Sequence, residues 1–315
     1  MNISVSDNRP RGMARLKLFF ALSRTPHGLL DMATPGLAAL LWLGKFPPFE
    51  TIALGLVTAF AGYTSVYALN DLVDYRTDKE KLRLGGFQDS RNYLDAAIIR
   101  HPLAQGFLSI KEGLIWAAAW SVVALIGAFL LNPVCVLIFL AGCALEILYC
   151  LMWKISPFRS LVSGVVKTCG AVAGVFAVDR EPSLVFLLLL FLWLFVWEIG
   201  GQNIPNDWAE IEEDRRLQAK TILVQYGAEK ASGIILGSIV FAVCVNLLLL
   251  GVSIPRFALP YLAAFFVVGL VLLLLPAYRL YKTRERQDAL TLFKRASYYP
   301  LACLILVTIR IVIGN

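Results

Sequence analysis

The stretch Asn70-Asp71-Leu72-Val73-Asp74-Tyr75-Arg76-Thr77-Asp78 places four metal-competent groups at the end of an uncharged apolar run, Thr51 to Leu69. If that run continues as a helix, Asp71, Asp74 and Asp78 fall at i, i+3, i+7 and Asn70 joins them on the same face. Like charges so arranged repel unless a cation or cationic ligand lies between them. The pattern returns 136 residues later as Asn206-Asp207-Trp208-Ala209-Glu210-Ile211-Glu212-Glu213-Asp214, again directly after an apolar run, Ser183 to Gly201. One such cluster is as consistent with a solvated acidic face as with a site. Two in equivalent positions read as halves of one site that face each other across a cavity.

The apolar runs on which both motifs sit belong to a chain that is 58% hydrophobic and 16% charged, with a mean hydropathy of +0.71. That balance excludes an ordinary soluble domain and indicates an all-α, polytopic membrane protein. Counting runs of about 20 apolar residues predicts nine spans, near 26–45, 51–70, 112–131, 133–152, 160–179, 183–203, 230–251, 257–278 and 297–314. On this scheme 24 of the 29 Lys and Arg fall on one side, which makes the amino terminus and both motifs cytoplasmic in a bacterial-type inner membrane and the carboxyl terminus external. The same one-sided distribution explains the net charge of +7 through the lipid bilayer and argues against nucleic acid. The cysteines lie inside apolar runs and read as buried hydrophobes, and two histidines do not suffice for a His-rich zinc or haem site.

Residues 1–24 read as a basic, interfacial lead-in and residues 25–315 as a single integral domain. Arg24 begins the first span and can reach a cavity mouth. Asp31, Glu146 and Lys167 lie within spans, where an unpaired charge facing lipid would cost about 2.5–3.5 kcal/mol, so they are expected to face the interior and pair. Residues Lys79 to Ile110 form the longest cytoplasmic loop, with Gly85-Gly86 and Arg100-His101-Pro102-Leu103-Ala104-Gln105-Gly106. Span four ends at Tyr149 and, with Trp153 as an interfacial anchor, leads to Lys154 and Arg159 at the edge. Glu198, Gln202, Asn203 and Asn206 extend a polar face toward the second motif, with a helix break expected at Pro205. The last three spans read as scaffold, with Arg279 to Arg295 as a basic loop.

Carboxylates and an Asn carbonyl are hard ligands suited to Mg²⁺, which typically completes its shell with water and phosphate oxygens. Asn70, Asp71, Asp74 and Asp78 are candidates for one ion, and Asp207, Glu210 and Asp214 for a second. Neighbouring Arg100, Lys154, Arg215 and Lys220 suit the remaining phosphate charge. The implied ligand is a diphosphate with an apolar body. If that body is allylic, the diphosphate is a leaving group, and Asp74, Asp78 and Asp214 would act at the bond that breaks. The carbocation left behind needs an aromatic face, for which Tyr149 is the candidate, while Asn203 and Arg24 would line the substrate.

These motifs resemble the UbiA superfamily of intramembrane prenyltransferases across residues 23–227. The marks are N-D-x-x-D-x-x-x-D at Asn70 to Asp78, the segment Arg100 to Gly106 similar to R-P-L-x-x-G, Leu148-Tyr149-Cys150, and Glu210 to Asp214 followed by Ala219-Lys220-Thr221. The resemblance implies helices around a central cavity, two cytoplasmic cap loops, Mg²⁺ and an isoprenyl diphosphate. It places Asn70, Asp74 and Asp78 in one metal cluster, Glu210 and Asp214 in the other, and Arg100 and Lys220 on phosphate. This chain departs from the pattern at Glu210, where Asp is usual, at Gln218, near an expected Gly, and at His101, which interrupts Arg-Pro. The expected acceptor is a small aromatic quinone precursor, whose carboxylate Lys167 or Arg24 would meet. A lipid or sugar phosphate acceptor, or an intramembrane terpene cyclase, stays open. A secondary transporter would also repeat an acidic motif, but its acids should lie near mid-membrane rather than at span ends.

Overall fold

The computed structural model describes residues 12–84 and 99–314, whose regular secondary structure is helix, without strands among the described residues. In chain order the helices are α1 (Met13–Leu22), α2 (Thr25–Asp31), α3 (Ala33–Leu43), α4 (Phe49–Val73), α5 (Tyr75–Arg83), α6 (Ile110–Leu131), α7 (Pro133–Leu151) and α8 (Arg159–Phe176). There follow α9 (Leu184–Trp197), α10 (Ile204–Ala209), α11 (Ile211–Arg216), α12 (Ile222–Val252), α13 (Leu259–Gly269), α14 (Leu275–Thr283) and α15 (Arg286–Ile313). Gly85-Gly86 and the first part of the lead-in lie outside the described residues.

Local chemistry sets the helix ends. Ser109 and Glu112 close a reciprocal capping box at the start of α6. Asn132 caps α7 by accepting from the Val134 N–H at 2.9 Å, with Pro133 at the first helical position, so the α6–α7 hairpin turns within one residue. Large apolar side chains such as Ile126, Phe129, Leu137 and Leu188 remain exposed around the outside, while Phe186, Trp193, Trp197, Phe265 and Tyr299 fill a core among α9, α12, α13 and α15. An apolar exterior on helices of this length is what a bilayer requires.

Among the described residues, eight helices are long and apolar enough to cross a membrane. The expected first span is not one of them, because it is divided at Met32 into α2 and α3. Pro35 supplies no N–H to the Asp31 carbonyl, and the Thr34 hydroxyl donates to that oxygen instead, at 2.9 Å. Both α8 and α15 pack against α3.

Four further expectations are corrected. Sixth-span residues do not break at Pro205; the helix widens at Glu198–Asn203 into a π turn, in which the Ile204 N–H reaches back to the Ile199 carbonyl, and α10 carries the proline in its first turn. Arg286, Lys294 and Arg295 belong to α15 rather than to a loop. Trp153 is buried, not an interfacial anchor, and Cys244 is exposed.

Helix α8 meets α3 so closely that a Cβ at Gly174 would lie 2.5 Å from the Pro35 carbonyl oxygen and 2.7 Å from its Cα. Backbone on both sides leaves little room to yield. Gly174→Ala should therefore destabilise the bundle by about 1–3 kcal/mol, read as a lower thermal midpoint in detergent, whereas Gly233→Ala, which meets nothing within 4 Å, should not lower it.

Candidate active site

Each acidic motif is a membrane helix hinged onto a short helix, rather than one uninterrupted helix. In the first, α4 passes to α5 at Asp74 (φ −80°, ψ −1°); in the second, α10 passes to α11 at Glu210 (φ −107°, ψ 15°), the equivalent position of the repeat. Backbone hydrogen bonds persist across both hinges, from Asp74 N–H to Asn70 O, Asp78 N–H to Asp74 O and Asp214 N–H to Glu210 O. The acids therefore keep a common face although the helix axis bends.

Cations of the protein itself lie among these acids. Arg24 donates to Asn70 Oδ1 at 3.0 Å and to Asp71 Oδ1 at 3.2 Å. His101 Nδ1 lies 2.8 Å from Asp78 and 3.2 Å from Asp71. Lys81, on α5, donates to Glu210 Oε2 at 2.7 Å and sits 3.8 Å from Asp214, while Arg100 donates to Glu210 Oε1 at 2.8 Å. Both oxygens of Glu210 are thus occupied, and the first motif is tied to the second.

Burial dominates the electrostatics outside the spans, and the neighbouring charges decide the outcome. Burial works to raise Glu210, but Lys81 and Arg100 outweigh it and hold that carboxyl well below its usual range. It works to lower Lys81 and His101, yet Glu210 and Asp214 raise the ammonium, and Asp78 with Asp71 lift the imidazole to about 9. Asp214, also buried, rises to about 8 despite Lys81, and Asp74 rises through burial and the nearby Asp78.

The two motifs open on a cavity of about 610 Å³. Its lining follows α4 from Thr51 to Asn70 and continues through Asp74 to Asp78, so the cavity runs most of the length of the bundle; α7, α8 and the π turn form the facing wall. Asn70, Asp74, Asp78, Asp207, Glu210, Asn203, Tyr149, Arg24 and Arg100 all contribute to the lining, and Asp71 and Asp214 are buried beside it. Lys154 and Lys220 are not brought in: Lys154 pairs with Glu80 at 3.2 Å in an exposed position, and Lys220 is exposed with its N–H on the Trp153 carbonyl.

Arg159 takes the place expected of Lys154. Its guanidinium lies 4.1 Å from the centroid of the Tyr149 ring, in the cavity wall, and its Nε and Nη1 are buried without hydrogen-bond partners. Arg159, Ser163 and Lys167 stand at i, i+4, i+8 on α8, so the inward face expected for Lys167 carries Arg159 with it. Tyr149 in turn accepts from Asn203 Nδ2 at 3.0 Å. Sequence alone placed Arg159 only at the cytoplasmic edge and left Lys81 unmarked, since one lysine in a charged segment has no periodic signature.

Other buried atoms also lack hydrogen bonds. Asp207 Oδ2, both carboxylate oxygens of Asp214 and Asn203 Oδ1 have none, and Asp71, Asp78 and His101 offer ligand atoms within 4.8 Å of one another. Unsatisfied carboxylate oxygens beside a cavity fit a hard divalent cation. Arg24, His101 and Gln218 adopt positive φ of 43°, 49° and 56°. For Gln218 this accounts for the glycine usual near that position, and all three mark local strain beside the site.

The arrangement matches known proteins in fold and in sequence. A structure of digeranylgeranylglyceryl phosphate synthase superposes with a TM-score of 0.68 at 18% identity, covering 96% of this chain and 100% of that one. A UbiA homologue from Archaeoglobus fulgidus bound to GPP and Mg²⁺ does so with a TM-score of 0.65 at 15% identity, over 92% and 99%. By sequence, the digeranylgeranylglyceryl phosphate synthase of Thermococcus sibiricus is 26% identical across 70% of this chain and 72% of its own. The 4-hydroxybenzoate octaprenyltransferase of Shewanella denitrificans is 30% identical over 49% of each. With the family's pattern matched over residues 32–298, this multi-pass membrane protein belongs to the UbiA prenyltransferase family.

Proposed function

We propose that the protein transfers a prenyl group from an isoprenyl diphosphate to a small aromatic acceptor, a quinone precursor, with Mg²⁺ as cofactor and with the site at the cytoplasmic edge of a bacterial-type inner membrane. The observation that carries this reading is the convergence of both acidic motifs, with Lys81, Arg100 and Arg159, on one end of a long cavity in the bundle. The diphosphate belongs at that end, and the prenyl chain along α4, α7 and α8, past Gly62, Phe139 and Gly170. The relatives bound to Mg²⁺ and GPP support the class of donor and cofactor; for the acceptor, one relative is named for 4-hydroxybenzoate and another for digeranylgeranylglyceryl phosphate.

Asn70, Asp74 and Asp78 on one side, and Asp207 and Asp214 on the other, are the oxygens assigned to metal, with Asp71 beside them. When bound, Mg²⁺ supplies charge neutralisation for the departing diphosphate. Arg159 holds phosphate oxygens through its unpartnered Nε and Nη1. Glu210 stays among the candidate ligands: each of its oxygens accepts one hydrogen bond, from Lys81 and from Arg100, which leaves lone pairs for a metal, and it also aims these two cations toward the phosphates. The face of Tyr149 not covered by Arg159 is left to steady the allylic cation, and Asn203 fixes the Tyr149 hydroxyl. Stacked His27 and Phe293, with centroids 5.8 Å apart, line the deeper cavity and suit a flat acceptor.

The central test incubates purified protein and Mg²⁺ with geranyl, farnesyl and longer prenyl diphosphates and a panel of aromatic acceptors, with products read by mass spectrometry. Prenylated aromatics should form. Asp74→Ala and Asp214→Ala should each abolish transfer while leaving the thermal midpoint of a folded protein, and full turnover in excess EDTA would contradict the assignment. A double-mutant cycle on Lys81 and Glu210, read as stability, should give a coupling of about 0.5–3 kcal/mol; strictly additive effects would show that this tie does not join the motifs.

A further inference from the structure

The polar groups deeper in the cavity are not used by diphosphate binding. Asp31, Lys167, Glu198 and Ser163 lie in its wall. Lys167 donates to Asp31 at 2.7 Å, and Tyr67 also donates to Asp31, so that carboxylate is engaged. Glu198 is not. Its Oε1 accepts from the Ser163 hydroxyl at 2.7 Å, but Oε2 is buried without a hydrogen-bond partner, and Lys167 stands off at 4.0 Å. A buried carboxylate oxygen left in this way is costly unless a ligand donates to it.

A second, independent feature points at the same residue. Glu198 begins the π turn that ends at Asn203, and Asn203 holds the Tyr149 hydroxyl. The wide turn brings Glu198, Gln202 and Asn203 all to the cavity wall, and such turns occur frequently at functional sites. Glu198 lies nine residues before Asp207, at the start of the π turn, so it stands about two helical turns deeper than the phosphate end.

We infer that Glu198 is the catalytic base for the acceptor, and that the acceptor presents a hydroxyl group to Glu198 Oε2. This rests on the prenyl-transfer reading above and specifies its second substrate. In the reaction, the C1–O bond of the donor breaks and its electron pair leaves on the diphosphate. The acceptor's nucleophilic atom, a hydroxyl oxygen or the ring carbon beside a phenol, bonds to C1. The hydrogen displaced from that acceptor moves as a proton to Glu198. Here one cation, Lys167, faces two acids, Asp31 and Glu198, so this pocket selects a proton donor and disfavours an anionic group; any carboxylate or phosphate on the acceptor belongs toward Arg159.

A phenol and an alcohol share this chemistry, and the test separates them. Full-length protein in nanodiscs with Mg²⁺ and geranyl diphosphate is offered 4-hydroxybenzoate in one arm and a glycerol phosphate ether lipid in the other, while donor affinity is measured separately by calorimetry with an uncleavable thiolodiphosphate analogue. In the arm that the parent protein uses, Glu198→Gln should lower kcat by about 10²-fold or more, with donor Kd within twofold, and Glu198→Asp should restore at least tenfold of that loss. Should the Gln variant fail to fold, Glu198→Asp alone should reduce kcat with donor Kd unchanged. Parental kcat in a folded Glu198→Gln, or in Glu198→Asp where the Gln variant does not fold, or an equal loss of donor affinity, would overturn the role of Glu198. Donor binding by the parent with no prenylated product in either arm would instead overturn the transfer reading, and this inference with it.

Discussion

Charge inside a membrane protein must be matched by charge, because a low-dielectric interior offers it no other partner, and this constraint organises the whole bundle. Its strongest expression is Glu210, gripped by Lys81 from α5 and by Arg100 from the segment before α6. Those contacts bring together parts of the chain more than a hundred residues apart. Arg24 and His101 pair with the first motif from 46 and 23 residues away along the chain. The acids that would repel one another along a single helix are held by cations supplied from other elements, and the site is assembled as a consequence.

Several backbone irregularities lie where helices line the cavity. The division at Met32, the hinges at Asp74 and Glu210 and the π turn at Glu198–Asn203 each turn a regular span at a point where polar groups must face inward. In the first case the cause is explicit: Pro35 removes one hydrogen bond and Thr34 replaces it. Pro35 is also the backbone against which Gly174 packs, so the same proline that divides the helix sets the approach of α8. Lys167 and Arg159, both on α8, are positioned by that approach.

The charge balance of the cavity varies along its length. Near the motifs, Arg159, Lys81 and Arg100 accompany the acids, whereas deeper in, Lys167 faces Asp31 and Glu198. Sequence reading offered Lys167 and Arg24 as cations for an acceptor carboxylate. In the fold each is already engaged, Lys167 by Asp31 and Arg24 by Asn70 and Asp71. A shared family fold at low sequence identity is therefore compatible with different acceptors, since the fold is maintained by apolar packing and the acceptor is met by a few buried polar groups.

The sequence by itself determined the all-helical membrane class, the repeated motifs, and the inward placement of Asp31, Glu146 and Lys167, because spans and buried charges obey rules of length and solvation that are local to the chain. It also carried, unread, the i, i+4, i+8 series that turns Arg159 inward with Lys167. Only the tertiary structure decided that Glu210 meets Lys81 and Arg100, one at each oxygen, that Lys154 and Lys220 stay outside the cavity, that Trp153 is buried, and that Glu198 keeps an oxygen without a hydrogen bond. Each of those facts depends on which side chains from distant elements arrive at one point, and that is set by helix packing rather than by any local pattern.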